Sequence, residues 1–155
     1  MIKFREASLK DLELYFKWTN DQFVREHSFK SEKIDMQKHE FWFNEKLSDP
    51  DCLMLVFYDE FERNIGQIRF QKQDNYSSII SVSVDKNYRG KGYSKRIIKI
   101  ASDYYRKQFS KMTIKAFIKK SNVFSVKSFK SAGFEFSKTL IHENFQTLLY
   151  IRKCK

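Results

Sequence analysis

The run from Ile79 to Ala101 constrains this chain more than any other. Ile79-Ile80-Ser81-Val82-Ser83-Val84 is β-branched and alternating. Its period of two places Ile80, Val82 and Val84 on one face and Ser81 and Ser83 on the other. The strand stops at Asp85. Arg89-Gly90-Lys91-Gly92-Tyr93-Ser94 follows and holds two of the four glycines, and a helix opens at once with Lys95-Arg96-Ile97-Ile98. Strand, glycine turn and helix N-terminus together form an anion cradle. Glycine lets the backbone approach a ligand, and the first helical N–H groups have no partner of their own. Those donors and the positive end of the helix dipole suit a phosphate or pyrophosphate. Arg89, Lys91, Lys95 and Arg96 add charge around the same point.

Composition narrows the setting. At 155 residues with 16 Phe, residues 1–155 read as one folded domain, not a disordered chain. The net charge of +11 predicts anionic ligands. The lysines are dispersed from Lys3 to Lys155 without a basic block, and no aromatic–basic RNA motif appears, so nucleic acid is not an expected partner. Cys52 and Cys154 share no metal-ligand spacing and form no disulfide framework. No metal is expected, and a reducing cytoplasm fits. The N-terminus lacks an apolar signal core. The longest apolar run, about Cys52–Tyr58, falls far below the ~18 residues that span a bilayer, so no membrane partner is expected.

Read in order, Ile2–Glu6 alternates as a strand, and Ser8 with Asp11 forms a capping-box pair ahead of a helix to about Asn20. Asp21–Glu26 reads as a short helix with Phe23 and Val24 buried. Asp35 caps a helix over Met36–Leu47, which ends before Asp49-Pro50. Strands follow at Leu53–Tyr58, Ile65–Gln71 and Ser78–Val84. Ile65, Gln67 and Arg69 are placed on one face of their strand, with Gly66 marking a bulge or close approach. The long helix runs from Gly92 to about Phe109. Met112–Ile118 is a strand, and Asn122–Ala132 is a helix closed by Gly133. Phe134–Ile141 and Thr147–Ile151 end the chain. Antiparallel hairpins and one strand–helix–strand crossover predict a mixed α/β sheet.

This order, with Arg89-Gly90-Lys91-Gly92 after the fourth strand, resembles the GCN5-related N-acetyltransferase (GNAT) superfamily. A second stretch strengthens the resemblance: Asn122, Ser125, Phe129, then Gly133-Phe134. The resemblance implies a six- to seven-stranded sheet whose fourth and fifth strands splay around acetyl-CoA. It implies that the backbone of Arg89, Gly90, Lys91, Gly92, Tyr93 and Ser94 binds the pyrophosphate. The Val82–Val84 edge would hold the pantetheine arm, with Asn122, Ser125 and Phe129 beside it. The family often has a Tyr acid where this chain has Phe129. A thiolate with a pKa of ~8.5 is a fair leaving group without one.

The N-terminal half is similar to N-acetyltransferases of the pseudaminic and legionaminic acid pathways, which acetylate the 4-amino group of a UDP-linked dideoxy sugar. That resemblance implies a small-molecule amine, a nucleotide sugar, as acceptor. Arg25 and Arg69 then serve as phosphate partners, Phe29 and Trp42 as stacking faces, and Gln67 and Ser81 as polar contacts. Phe43 and Trp18 read as core. His39 is the favoured base, with Glu40 and His27 in reserve and Ser81 and Ser83 holding a relay water. A backbone N–H of the Val82–Val84 strand meets the oxyanion, and attack is direct in a ternary complex. Two alternatives stand beside this reading: a protein N-terminal acetyltransferase, and a non-catalytic CoA-binding module. Monomer and homodimer are both open.

Overall fold

Local hairpins and one crossover build the sheet. The computed structural model describes residues 1–154. Strands β1 (Lys3–Glu6), β2 (Cys52–Tyr58), β3 (Asn64–Lys72), β4 (Ser77–Val84), β5 (Thr113–Lys119), β6 (Glu135–His142) and β7 (Phe145–Arg152) form one sheet in the order β1-β2-β3-β4-β5-β7-β6. Only β4 and β5 are parallel. They are joined across α4 (Tyr93–Gln108), the connection a parallel pair requires. The other helices are α1 (Leu12–Thr19), α2 (Gln22–His27), α3 (Met36–Ser48) and α5 (Val123–Ser131).

Strand β2 explains the two layers. Met54, Leu55, Val56 and Phe57 are all buried, as a strand covered on both faces requires. Leu55 and Phe57 join Ile68, Phe70 and Ile80 beneath Ile97, Ile98 and Tyr105 of α4. Met54 and Val56 meet Tyr15 and Trp18 of α1 and Phe43 of α3 on the opposite face. Trp18 and Phe43 are core, as expected. Asp35 is the expected cap of α3, and Asp21 and Asn122, read as the first residues of their helices, are caps as well. Asp21, Asp35 and Asn122 accept from Val24, Lys38 and Ser125 N–H at 3.2, 2.9 and 3.2 Å. Asp11 accepts from Ser8 N–H at 2.9 Å and is gripped twice by Arg5 at 2.8 Å. The first turn after Ser8 is 3-10, so α1 starts at Leu12.

Two expectations are corrected. Ile65 is an extra residue between the pairs Phe57↔Gly66 and Tyr58↔Asn64. This bulge turns Ile65 into the α4-side core and leaves Gln67 and Arg69 on the other face. Phe23 and Val24 of α2 are only half-buried and line a cavity. Gly66 is indeed a close approach: a Cβ there would lie 2.4 Å from the Ser83 carbonyl oxygen.

The feature that matters for function is a parting of strands. β4 and β5 pair only at Ser77↔Thr113, Ser78↔Ile114 and Ile79↔Lys115. From Ile80 onward β4 stays with β3 and β5 stays with β7. The backbone of Ile80–Val84 therefore has a free edge facing the gap.

Candidate active site

Above this gap lies a cavity of about 1290 Å³, bordered by α1, α2, α3, the free edge of β4, and the first turns of α4 and α5. Its floor follows from cross-strand register: Arg69 stands opposite Ser81, and Gln67 opposite Ser83. Arg69 donates to Ser81 Oγ at 3.4 Å, and Gln67 Nε2 donates to Ser83 Oγ at 3.1 Å. Gln67 Oε1 is buried without a partner among the described residues, a free acceptor in the floor. The Arg69 guanidinium lies 5.3 Å from the Trp42 ring centre. Burial pushes its pKa below the usual arginine range, against weaker opposing pulls from Cys52 and Tyr15, yet arginine stays charged.

At the other end, Gly90 and Gly92 have φ of +73° and +80°, a conformation that disfavours side chains. A Cβ on Gly90 would meet nothing within 4 Å, so the turn opens onto free space. Gly92 caps α4, whose first N–H groups face the turn. Tyr93, Ser94 and Lys95 line the cavity. The cradle's expected side-chain charges are mostly committed elsewhere. Arg89 bonds Asp21 at 2.7 Å, donates to the Val84 carbonyl at 3.0 Å, and lies 4.8 Å from the Phe23 ring centre. It thus ties the glycine turn to α2, and the Val84 carbonyl is already occupied. Lys91 donates to the Asn87 carbonyl at 3.0 Å, and Arg96 lies over Tyr93. Of the four cradle cations Arg89 and Lys95 border the cavity, and Arg89 is the one paired with a carboxylate. Asn122 and Ser125 border it from the cap of α5. Phe129 is 3% exposed and packs edge-on to Phe134 at 5.0 Å.

The expected catalytic and acceptor residues divide. His39 borders the cavity but is 1% exposed. Its Nε2 lies 3.0 Å from the Leu12 carbonyl, which accepts from the protonated nitrogen. Burial lowers its pKa, opposed by that hydrogen bond. Glu40 is exposed and lies outside the lining, because it sits one residue around the helix from His39; it has no place in the site. His27 lines the cavity with Nδ1 2.9 Å from the Phe23 carbonyl and its ring tilted against Phe23 at 4.2 Å. Arg25 is not free for phosphate. It donates to the Lys30 and Glu32 carbonyls and to Ser28 Oγ at 2.8, 3.3 and 3.2 Å, shaping the loop after α2. Phe29 on that loop packs against His142 at 4.6 Å. Trp42, Gln67, Arg69, Ser81 and Ser83 all face the cavity.

The sequence reading missed Phe23 and Phe124, whose rings face each other at 6.2 Å across the lining. It also missed Lys119, which donates to the Glu26 carbonyl at 3.3 Å beneath the Phe145 ring, with its pKa lowered by burial. Only the exposed Phe124, two residues past the α5 cap, carried a local signal. Among the described lining residues, nine are lysine or arginine and Glu32 is the one carboxylate. Among the described residues, no His/Cys/Asp/Glu group could hold a metal, and no helix is long and apolar enough to cross a membrane.

A parted parallel strand pair, a glycine anion cradle and a second chamber over a polar floor define a two-substrate transferase. The chain belongs to the acetyltransferase (GNAT) family, whose profile matches residues 12–134. It is an acetyl-CoA-dependent N-acetyltransferase acting on an amine. The fold matches spermidine N-acetyltransferase from Vibrio cholerae in complex with CoA and spermine (TM-score 0.90, 17% identity, 99% of this chain and 95% of that one). It also matches aminoglycoside acetyltransferase AAC(6')-Ib with ribostamycin and coenzyme A (TM-score 0.86, 14% identity, 98% and 93%). No curated protein matches the chain.

Proposed function

We propose that the protein acetylates the amine of an anionic small molecule, a UDP-linked 4-amino-4,6-dideoxy sugar. The observation that carries this reading is the charge of the cavity, nine cations, of which Arg89 alone is ion-paired among the described residues, against one carboxylate. Spermine and ribostamycin, bound by the neighbours of this fold, are polycations. Such acceptors would meet like charge here, an arrangement that costs several kcal/mol at close range. A diphosphate meets the opposite. Lys30, Lys33 and Lys38 line the chamber beside Trp42 and Phe29, which offers phosphate partners and stacking faces together. A peptide acceptor needs an open groove, but the loop after α2 is closed against the β6–β7 turn through Phe29 and His142.

In this reading the CoA pyrophosphate lies on the backbone of Arg89–Ser94, with Lys95 beside it. The pantetheine arm runs along the free edge of β4 past Val82, between Asn122 and Ser125 on one side and β4 on the other. The strand rises ~3.4 Å per residue, so the steps from Val84 to Ser81 carry the arm about 10 Å. There the thioester meets the floor of Gln67, Arg69, Ser81 and Ser83. Gln67 Oε1 accepts a hydrogen bond from the acceptor, and a β4 backbone N–H meets the developing oxyanion. CoA leaves as thiolate, so Phe129 needs no hydroxyl.

The test is release of CoA thiol with UDP-4-amino-4,6-dideoxy sugars. Saturable turnover, inhibited by UDP and weakened by salt, is expected. No turnover across a panel of such sugars, with turnover of spermidine, would overturn the reading.

A further inference from the structure

An amine attacks a thioester only as its free base, and an alkyl amine is mostly protonated at neutral pH. Among the described lining residues, no carboxylate stands at the floor of Gln67, Arg69, Ser81 and Ser83 to take that proton. Glu32, the one lining carboxylate among the described residues, is exposed on the loop after α2. His39 donates from Nε2 to the Leu12 carbonyl, and its basic Nδ1 belongs to a ring only 1% exposed among Phe16, Trp42 and Phe43. His27 donates from Nδ1 to the Phe23 carbonyl and keeps its basic Nε2 on α2, not on the β3–β4 floor. What the floor does hold is a cation. Arg69 is faced by Ser81 from β4 and by Trp42 from α3. Tyr15 of α1 and Cys52 of β2 also bear on it. The Tyr15 hydroxyl is held neutral chiefly by burial and lies 3.5 Å from the Leu55 carbonyl. Burial also raises the Cys52 pKa. No carboxylate pairs with Arg69 among the described residues.

We propose that Arg69 does the work of a general base by its charge alone, keeping the bound acceptor amine in its neutral form. A fixed positive charge near an ammonium favours release of its proton, the device used to activate lysines beside a second cation. At ~6 Å and an effective dielectric between ~20 and ~40, one charge lowers a neighbouring amine pKa by about one to two units. The ammonium gives one proton to solvent. The free amine then bonds to the thioester carbon, and the carbonyl pair moves to oxygen. On collapse the C–S bond breaks, and the departing thiolate takes the second proton from nitrogen. Amide and CoA thiol are the products.

Two readouts test this, the second resting on the nucleotide-sugar acceptor. The first needs no acceptor. In a Cys52→Ser, Cys154→Ser background, the thiol introduced by Ser81→Cys sits beside Arg69, and its pKa is read from the pH dependence of iodoacetamide alkylation. Adding Arg69→Gln should raise that pKa by about one unit, and Arg69→Lys should restore it. Equal titration in all three would overturn the proposal. The second is the acid limb of kcat with the UDP-4-amino sugar, which reports the bound state. Arg69→Gln should move it about one unit alkaline, a roughly tenfold loss near pH 7 that is recovered by about pH 9. A pH-independent loss would overturn the proposal. If no such sugar is turned over, the acceptor reading alone fails and the thiol decides.

Discussion

Replacing Gly92 separates the cradle's charge from its shape. Gly92 has φ of +80°, and a Cβ there would meet only Lys95 Cε at 3.5 Å, an ordinary contact. Gly92→Ala therefore costs about 1–2 kcal/mol of backbone strain and little else. Gly92→Gln adds bulk, and Gly92→Glu adds one negative charge at the same size. That charge at a helix N-terminus stabilises the fold by up to about 1 kcal/mol, so the Glu variant folds at least as well as the Gln one. Its effect on CoA has the opposite sign. Two pyrophosphate charges at ~5 Å each contribute about 0.8 kcal/mol of repulsion in water-like dielectric, and about twice that where solvent is half-excluded. Gly92 is exposed, so the lower half of that range applies: about 2 kcal/mol, or roughly 30-fold. Titration calorimetry with CoA should show the Glu variant weaker than the Gln variant by that factor at low salt. The gap should narrow several-fold at about 0.5 M salt. Equal CoA affinity for the Glu and Gln variants would refute the placement of the pyrophosphate on this turn.

Asp21→Asn keeps the helix cap but breaks the ion pair to Arg89, whose partners are 25% and 20% exposed. A loss of about 1–2 kcal/mol is expected, between the exposed and buried limits, read as a Tm drop of roughly 3–8 °C; an unchanged Tm would contradict it. Phe129→Tyr should change kcat less than about threefold, because the thiolate needs no acid; a tenfold rise would show that it does. His39 has its pKa lowered chiefly by burial, so the unfolded chain takes up its proton first. Its contribution to stability is full above the unfolded pKa of ~6.5 and is lost as pH falls through that value. Urea midpoints at about pH 7.5 and about pH 5.5 should fall more in the parent protein than in His39→Gln.

The parts of this fold that depend on neighbours in sequence were legible. The strand, glycine turn and helix from Ile79 to Ala101 are set by alternation, two left-handed glycines and a helix cap within one short stretch. The cap at Asp35 is local for the same reason, and the helix starts at Asp21 and Asn122 were read without their cap bonds. Arg89 shows where locality ends. Its charge was read as part of the cradle, but its carboxylate partner is 68 residues away, and no periodicity reports such a pair. Ile65 was assigned to the wrong face because one bulge reverses a period of two. Phe23 and Val24 were expected in the core because apolar residues on a short helix look alike whether they meet a core or a cavity. The floor residues Gln67, Arg69, Ser81 and Ser83 were readable as a face. The pairing of Arg69 with Ser81, and the absence of a lining carboxylate beside them among the described residues, needed the register of β3 on β4.

The central claim is that a basic cavity selects an anionic amine. One competition tests it directly: acetyl-CoA with a UDP-4-amino-4,6-dideoxy sugar and spermidine at equal concentrations, products counted by mass spectrometry. The product ratio is then the ratio of kcat/KM values. The acetylated nucleotide sugar should exceed acetylspermidine by at least about 100-fold, the discrimination that ~3 kcal/mol of charge repulsion supplies. Acetylspermidine as the main product would contradict the account.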